Sequence, residues 1–155
     1  MTGSACRLGG QPSLTDRART LYAMDGRRNV VDYGLTRRAL LADLHTGRRS
    51  LAEACDAHAY LQLAAQHYGE DAGSPCPVCD RRSLRYVHYV YGDALGKSSG
   101  QAKSFRELER MQDEFGEFGV YAVEVCRSCG WNHLIRSFVL GRAQQAAGMP
   151  NVADG

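Results

Sequence analysis

The chain of 155 residues carries seventeen arginines against two lysines, six cysteines, and a formal charge of +2 that is too small to call for a nucleic-acid partner by itself. Its length suits one domain or a little more, and 44% apolar with 23% charged residues is an ordinary globular balance that excludes wholesale disorder and fibrous repeats. No run approaches eighteen consecutive apolar residues and residues 1–12 hold no apolar signal core, so a cytoplasmic protein is expected. In that compartment thiols stay reduced, and closely spaced cysteines point to metal before disulfides.

Residues 1–29, with Gly3, Gly9, Gly10, Pro12 and Gly26 and no apolar period, predict a flexible tail. Val30, Val31 and Tyr33 form a short extended piece suited to docking on the body. A helix is expected after a cap at Thr36, with Leu40, Leu41 and Leu44 on one face and Gly47 just past its end. Ser50 and Glu53 form a capping box, each side chain accepting from a backbone N–H that the helix leaves orphaned. The helical run it starts extends to Tyr68, closes at Gly69, and can break near His58. Residues 30–72 thus form a small helical region. It is a poor helix-turn-helix, because its turn lacks glycine and residues 60–68 offer no Arg, Lys or Asn to a groove. Support for a neighbouring module is the better reading, with Arg37, Arg38, Arg48 and Arg49 gathered at the helix ends.

Gly73, Ser74 and Pro75 open a second region, residues 73–141. Residues 84–91 are aromatic and β-branched and predict a strand, and glycine, serine and lysine mark 92–103 as an exposed loop. Ser104 and Glu107 form another capping box, leading into Phe105, Leu108, Met111, Phe115 and Phe118 at steps of three or four. That is an amphipathic helix of about fourteen residues with an acidic outer face. Residues 119–125 return to strand chemistry, and 142–155 predict a second flexible tail.

The chemistry lies in two Cys-x-x-Cys pairs, Cys76 with Cys79 and Cys126 with Cys129, forty-six residues apart. Two intervening residues let a tight turn aim both sulfurs at one point, and two such turns supply the tetrahedral four-thiolate shell of a structural Zn²⁺. Pro77 pre-shapes the first turn, and Gly130 lets the chain leave the second without a Cβ penalty. The two strands can pair and bring the turns together, giving a zinc ribbon with a helical insertion. Residues 131–140 decide between a third antiparallel strand and the helix of a treble clef, and their β-branched and aromatic content favours the strand. The expected fold is therefore α+β, a helical pair packed with a three-stranded antiparallel zinc ribbon.

Four thiolates leave no open position for a substrate water, whereas catalytic zinc keeps one, so no enzyme is expected. His133 is read as a supporting donor or a surface imidazole, Cys55 as a small core residue of an alanine-rich helix, and Cys6 as a bystander in the tail. Four thiolates and one Zn²⁺ add a net −2, which brings the metallated chain formally near zero.

The stretches Val-Val-Asp-Tyr (30–33), Cys-Asp-Ala-His (55–58), Pro-Cys-Pro-Val-Cys (75–79), Tyr-Val-Tyr-Gly-Asp (89–93), Gly-Glu-Phe (116–118) and Glu-Val-Cys-Arg-Ser-Cys-Gly-Trp-Asn-His-Leu (124–134) resemble a family of small actinobacterial proteins of unknown function. The resemblance covers about residues 30–141. It implies a zinc-ribbon protein without an assigned activity, with the four paired cysteines as its metal ligands.

Function has to come from what the ribbon displays. Arg81, Arg82, Arg85 and Arg127, with Trp131 and His133, form a candidate partner contact at the cysteine turns. The leading expectation is a non-enzymatic adaptor binding a large cytoplasmic machine, with RNA polymerase or the ribosome as first guesses by fold analogy. Direct DNA or RNA binding, with bases stacked on tyrosines, is the alternative, and a thiol-based redox sensor is a third.

Overall fold

The computed structural model describes residues 26–143. In chain order they form strand β1 (Arg28–Asp32), helices α1 (Gly34–His45), α2 (Leu51–Ala54) and α3 (Ala59–His67), and strands β2 (Glu70–Asp71) and β3 (Leu84–Tyr91). A 3₁₀ segment (Asp93–Ser98), β4 (Ala102–Lys103), α4 (Phe105–Glu114), β5 (Phe118–Cys126) and β6 (Asn132–Leu140) follow. The architecture is α+β. The strands form one sheet in the order β1-β6-β5-β3-β2, with β4 also paired to β3, and every strand pair is antiparallel.

The expected three-stranded sheet is corrected to six strands. The three expected strands are its centre, β3-β5-β6, and residues 132–140 are indeed a strand, so the helix of a treble clef does not follow the second cysteine pair. The three added strands are short or come from the docking piece, and elements of two residues have no period to read. The expected tails at 1–29 and 142–155 lie outside the described residues except at their inner ends. There Arg28 already belongs to β1, and the Arg142 N–H donates to the Phe115 carbonyl.

Helix starts follow their caps. Ser50 and Glu53 make the capping box, but α2 lasts one turn before Cys55 leaves helical geometry, and His58 caps α3 by accepting from the Tyr60 N–H. The α1 helix begins two residues ahead of the Thr36 cap, with Tyr33 at its N-cap and no side chain closing that end. The α4 helix stops at Glu114, shorter than expected, because Phe115 is already extended and Phe118 opens β5.

Alternation along the strands gives the sheet two faces. On the inner face Val90, Phe118, Val120, Phe138 and Leu140 pack under Leu108 and Met111 of α4. Further along it, Leu84, Cys126 and Trp131 meet Leu40, Leu41 and Leu44 of α1. On the outer face α3 covers Val87 and Val125 with Ala64 and Ala65. The rest of that face, lined by Tyr89, Tyr91, Tyr121, Val123 and Leu134, is an open shallow depression.

One inner-face residue gives stability a pH dependence. His88 is 3% exposed, and its Nδ1 has no hydrogen-bond partner among the described residues. Burial lowers its pKa to about 4, so the native imidazole is neutral at pH 7. An unfolded histidine titrates near 6.5, so between roughly pH 6.5 and 4 the unfolded chain gains a proton that the native chain does not, and stability falls with pH. His88→Phe is expected to lose about 2 kcal/mol less stability than wild type between pH 7 and pH 5. Urea midpoints of the two proteins at both pH values, metal-saturated, check this; equal losses would refute it.

Candidate metal centre

The cluster is built from two turns of the same design at one end of the sheet. In the first, the Cys76 N–H donates to the Arg81 carbonyl (2.9 Å) and the Asp80 N–H to the Cys76 carbonyl (2.9 Å). In the second, the Cys126 N–H donates to the Trp131 carbonyl (2.8 Å) and the Gly130 N–H to the Cys126 carbonyl (3.0 Å). Each turn aims backbone N–H groups at its own sulfurs: Val78 at Cys76, Ser128 at Cys126 and Trp131 at Cys129, all at 3.4 Å. The residue after each second cysteine is left-handed, Asp80 at φ 58° and Gly130 at φ 83°. Aspartate tolerates that region, but at residue 130 a Cβ would also stand 2.7 Å from the Cys55 carbonyl, so only glycine fits.

The turns meet because their strands pair: Leu84, just past the first turn, stands opposite Cys126 in the β3–β5 ladder. All four sulfurs lie within 4.8 Å of one another, with Cys76 3.7 Å from Cys129 and Cys79 3.6 Å from Cys126. Cys76 and Cys126 are buried, and Cys79 and Cys129 are half-buried. This is a donor set that can hold one metal ion such as Zn²⁺, with soft thiolates and no oxygen donors, four in number and mutually close.

The electrostatics separate the thiols. Burial raises Cys76 to about 11 and raises Cys129 further. Burial also acts against the Cys126 thiolate, but the Ser83 hydroxyl at 3.4 Å and the backbone N–H groups of Cys129 and Ser128 outweigh it, bringing Cys126 down to about 6. Cys126 is thus more readily ionised than Cys76 and Cys129, and a cation bound there would displace the protons held by those two. Metal retention therefore weakens as pH falls.

Other residues singled out by the sequence are distributed differently. Arg81, Arg82 and Arg127 are exposed around the turns, Arg127 reaching Gln66 at 3.2 Å, while Arg85 pairs with Asp71 at 3.3 Å. Trp131 is withdrawn from any contact surface: it is 0% exposed, because its ring fills the core under α1 and its Nε1–H donates to Glu124 (2.9 Å). His133 is half-buried and stacks on Trp131 at 6.1 Å, outside the four-sulfur group. The tyrosines divide by parity, Tyr86 turning to the inner face while Tyr89 and Tyr91 line the open depression.

Two residues escaped the sequence reading. Glu124, 2% exposed, accepts from both Arg37 and Trp131 and so ties α1 to the second turn. Cys55 is not interior to a helix; it ends α2 with its sulfur 3.9 Å from Cys129 Sγ. Cys6 lies outside the described residues.

Among the described residues no helix is long and apolar enough to cross a membrane. Residues 24–154 match a family described as "Family of unknown function (DUF5318)". The uncharacterized protein Rv0049 of Mycobacterium tuberculosis H37Rv and the uncharacterized protein Mb0050 of Mycobacterium bovis are each 46% identical over 116 residues. Those residues are 75% of this chain and 85% of each relative. No solved structure matches.

Proposed function

The chain belongs to this family of unknown function, which transfers no activity to it, and we propose from its own geometry that it is a non-enzymatic zinc-ribbon adaptor of the cytoplasm. The four cysteines hold one Zn²⁺ as a structural ion. Four thiolates, two of them buried, fill a tetrahedral shell and leave no position for a water to be activated. The ion then fixes the end of the sheet and the helix packed on it.

The observation that carries the adaptor reading is the uncovered half of the outer sheet face. Tyr91 and Tyr121 are 49% and 40% exposed and meet edge-on at 5.5 Å beside Tyr89, Val123 and Leu134. A contiguous apolar patch of this kind is the usual mark of a protein contact. The exposed Arg81, Arg82 and Arg127 give the cysteine end a basic rim, while α4 presents Glu109, Asp113 and Glu114 outward. The partner is a large assembly such as RNA polymerase or the ribosome.

Affinity capture from native lysate tests this, using wild type and a Tyr91→Ala/Tyr121→Ala variant, whose changes lie on the surface and spare the metal turns. Recovery of polymerase or ribosomal subunits with wild type, reduced at least tenfold by the double substitution, is the expected result. Recovery of neither assembly refutes the named partners, and undiminished capture by the variant refutes the surface.

A further inference from the structure

Cys55 stands against the metal centre without belonging to the group of four mutually close sulfurs. Its sulfur is 3.9 Å from Cys129 Sγ, and the backbone around it is held there. The Ala57 N–H donates to the Gly130 carbonyl (3.0 Å), Asn132 Nδ2 donates to Asp56 (3.0 Å), and Gln62 Nε2 donates to the Cys126 carbonyl (3.2 Å). The Cys55 carbonyl also occupies the space that a side chain at residue 130 would need. The α2–α3 link is therefore fastened to the second cysteine turn immediately after Cys55. Placement by backbone contacts over a separation of 74 residues is more than the chance approach of one side chain.

We propose that Cys55 is a resolving thiol, which forms a disulfide with Cys129 when a hydroperoxide oxidises the cluster. This rests on the reading of the four cysteines as a metal shell, because the metal is what leaves Cys55 as the available partner. Cys76 Sγ is 3.7 Å from Cys129, slightly nearer, but bonding to Cys129 would cost the shell a second ligand, whereas Cys55 lies outside the group of four and can bond at no further loss. Cys129 is the ligand concerned because it is half-buried, unlike Cys76 and Cys126, and it is the ligand beside Cys55.

The chemistry balances with the peroxide as sole oxidant. The Cys129 thiolate attacks the hydroxyl oxygen of the peroxide and the O–O bond breaks, giving a sulfenic acid; the other oxygen leaves as hydroxide or alkoxide and takes a proton from solvent to become water or an alcohol. The Cys55 sulfur then attacks the Cys129 sulfur, the S–O bond breaks, and hydroxide departs with the Cys55 proton as water. Two thiols lose two electrons and the peroxide gains two. Closing the bond brings the sulfurs from 3.9 Å to about 2.05 Å and would remove one of the four thiolates that hold the ion, weakening its retention and favouring release. Reduction of the disulfide restores all four ligands.

The test treats the full-length, zinc-loaded chain with hydrogen peroxide at a few equivalents, with metal content measured beforehand and zinc release followed by a chromogenic chelator. After alkylation, unreduced protein is digested with chymotrypsin and trypsin together. Trypsin alone would leave Cys55, Cys76 and Cys79 on one peptide, since no Lys or Arg lies between Ser50 and Asp80. The expected result is a Cys55–Cys129 cross-link as the main disulfide, appearing at the rate of zinc release. Cys55→Ala and Cys55→Ser should start with the same zinc content, over-oxidise Cys129 to sulfinic acid, and recover less than half of their zinc capacity after thiol treatment, where wild type recovers nearly all. A main cross-link of Cys76–Cys129 or Cys79–Cys126 in zinc-loaded wild type overturns the proposal, as does full recovery by both variants. A chain that binds no zinc yet forms the Cys55–Cys129 bond overturns the metal reading and upholds the pair.

Discussion

Stripping the proposed Zn²⁺ is expected to unfold the cysteine-bearing end of the molecule and to destabilise the whole. Cys76 and Cys126 are themselves buried members of the cluster that joins Leu84 and Trp131 to the α1 leucines, so the sulfur cluster and that core cannot separate. Structural zinc in small domains contributes an apparent 10 kcal/mol or more, about as much as the whole net stability of an ordinary domain. Without it the four cysteine sulfurs, two of them with thiol pKa raised by burial and Cys126 with its pKa lowered, remain packed together with no shared cation. Trp131 supplies the measurement, being the single tryptophan, 0% exposed, with its backbone N–H directed at Cys129 Sγ. A strong chelator should shift its emission to longer wavelength and lower far-ultraviolet helicity, and stoichiometric Zn²⁺ should reverse both. Cys126→Ser should behave as the stripped protein does, regardless of added zinc. An unchanged emission spectrum after verified metal removal would show that the α1 core stands without the ion.

Much of this centre is legible from the chain itself, because its parts are local. A Cys-x-x-Cys turn is specified by four consecutive residues, and the chain repeats it with a left-handed residue after each second cysteine, Asp80 and Gly130. Residues 84–91 read as a strand because aromatic and β-branched types crowd there, and the observed strand has the same limits. The capping boxes at Ser50 and Ser104 are likewise local and both form. What escaped is what long-range pairing decides. The β2 and β4 strands exist because β3 offers them an edge, and two residues of sequence carry no period. Glu124 sits at an inward position in a strand, where a carboxylate reads as a breach in the pattern until Arg37, 87 residues away, is seen to meet it. The break expected near His58 is found, with His58 capping the new helix at Ala59, but the first helix already ends at Cys55, whose alanine neighbours suggested a residue inside it.

Replacing Glu124 with leucine is expected to lower stability by about 3 kcal/mol, a fall of roughly 10 °C in Tm, and to weaken metal retention with it. The carboxylate accepts from both Arg37 and the Trp131 indole, the Arg37 Nη2 contact measuring 3.2 Å and the indole contact 2.9 Å. Removing it leaves a partly buried guanidinium and a fully buried N–H without their acceptor, and the cost comes mainly from those stranded donors. Arg37 is 28% exposed and can turn part of its charge toward water, which holds the penalty at the lower end of the range for a broken buried pair. The double variant Glu124→Leu/Arg37→Leu should therefore lose less than the two single variants added together, which is the signature of coupling. The metal is affected because Trp131 belongs to the second cysteine turn, its N–H directed at Cys129 and its carbonyl accepting from Cys126. Once Glu124 no longer holds the indole, that turn loses its fixed orientation, and zinc should pass to a competing chelator several-fold faster than from wild type. Thermal melts of the four proteins with a zinc-transfer assay decide the matter. Strict additivity would break the link between Arg37 and Glu124, and unchanged transfer in a destabilised Glu124→Leu would confine the carboxylate's role to the fold.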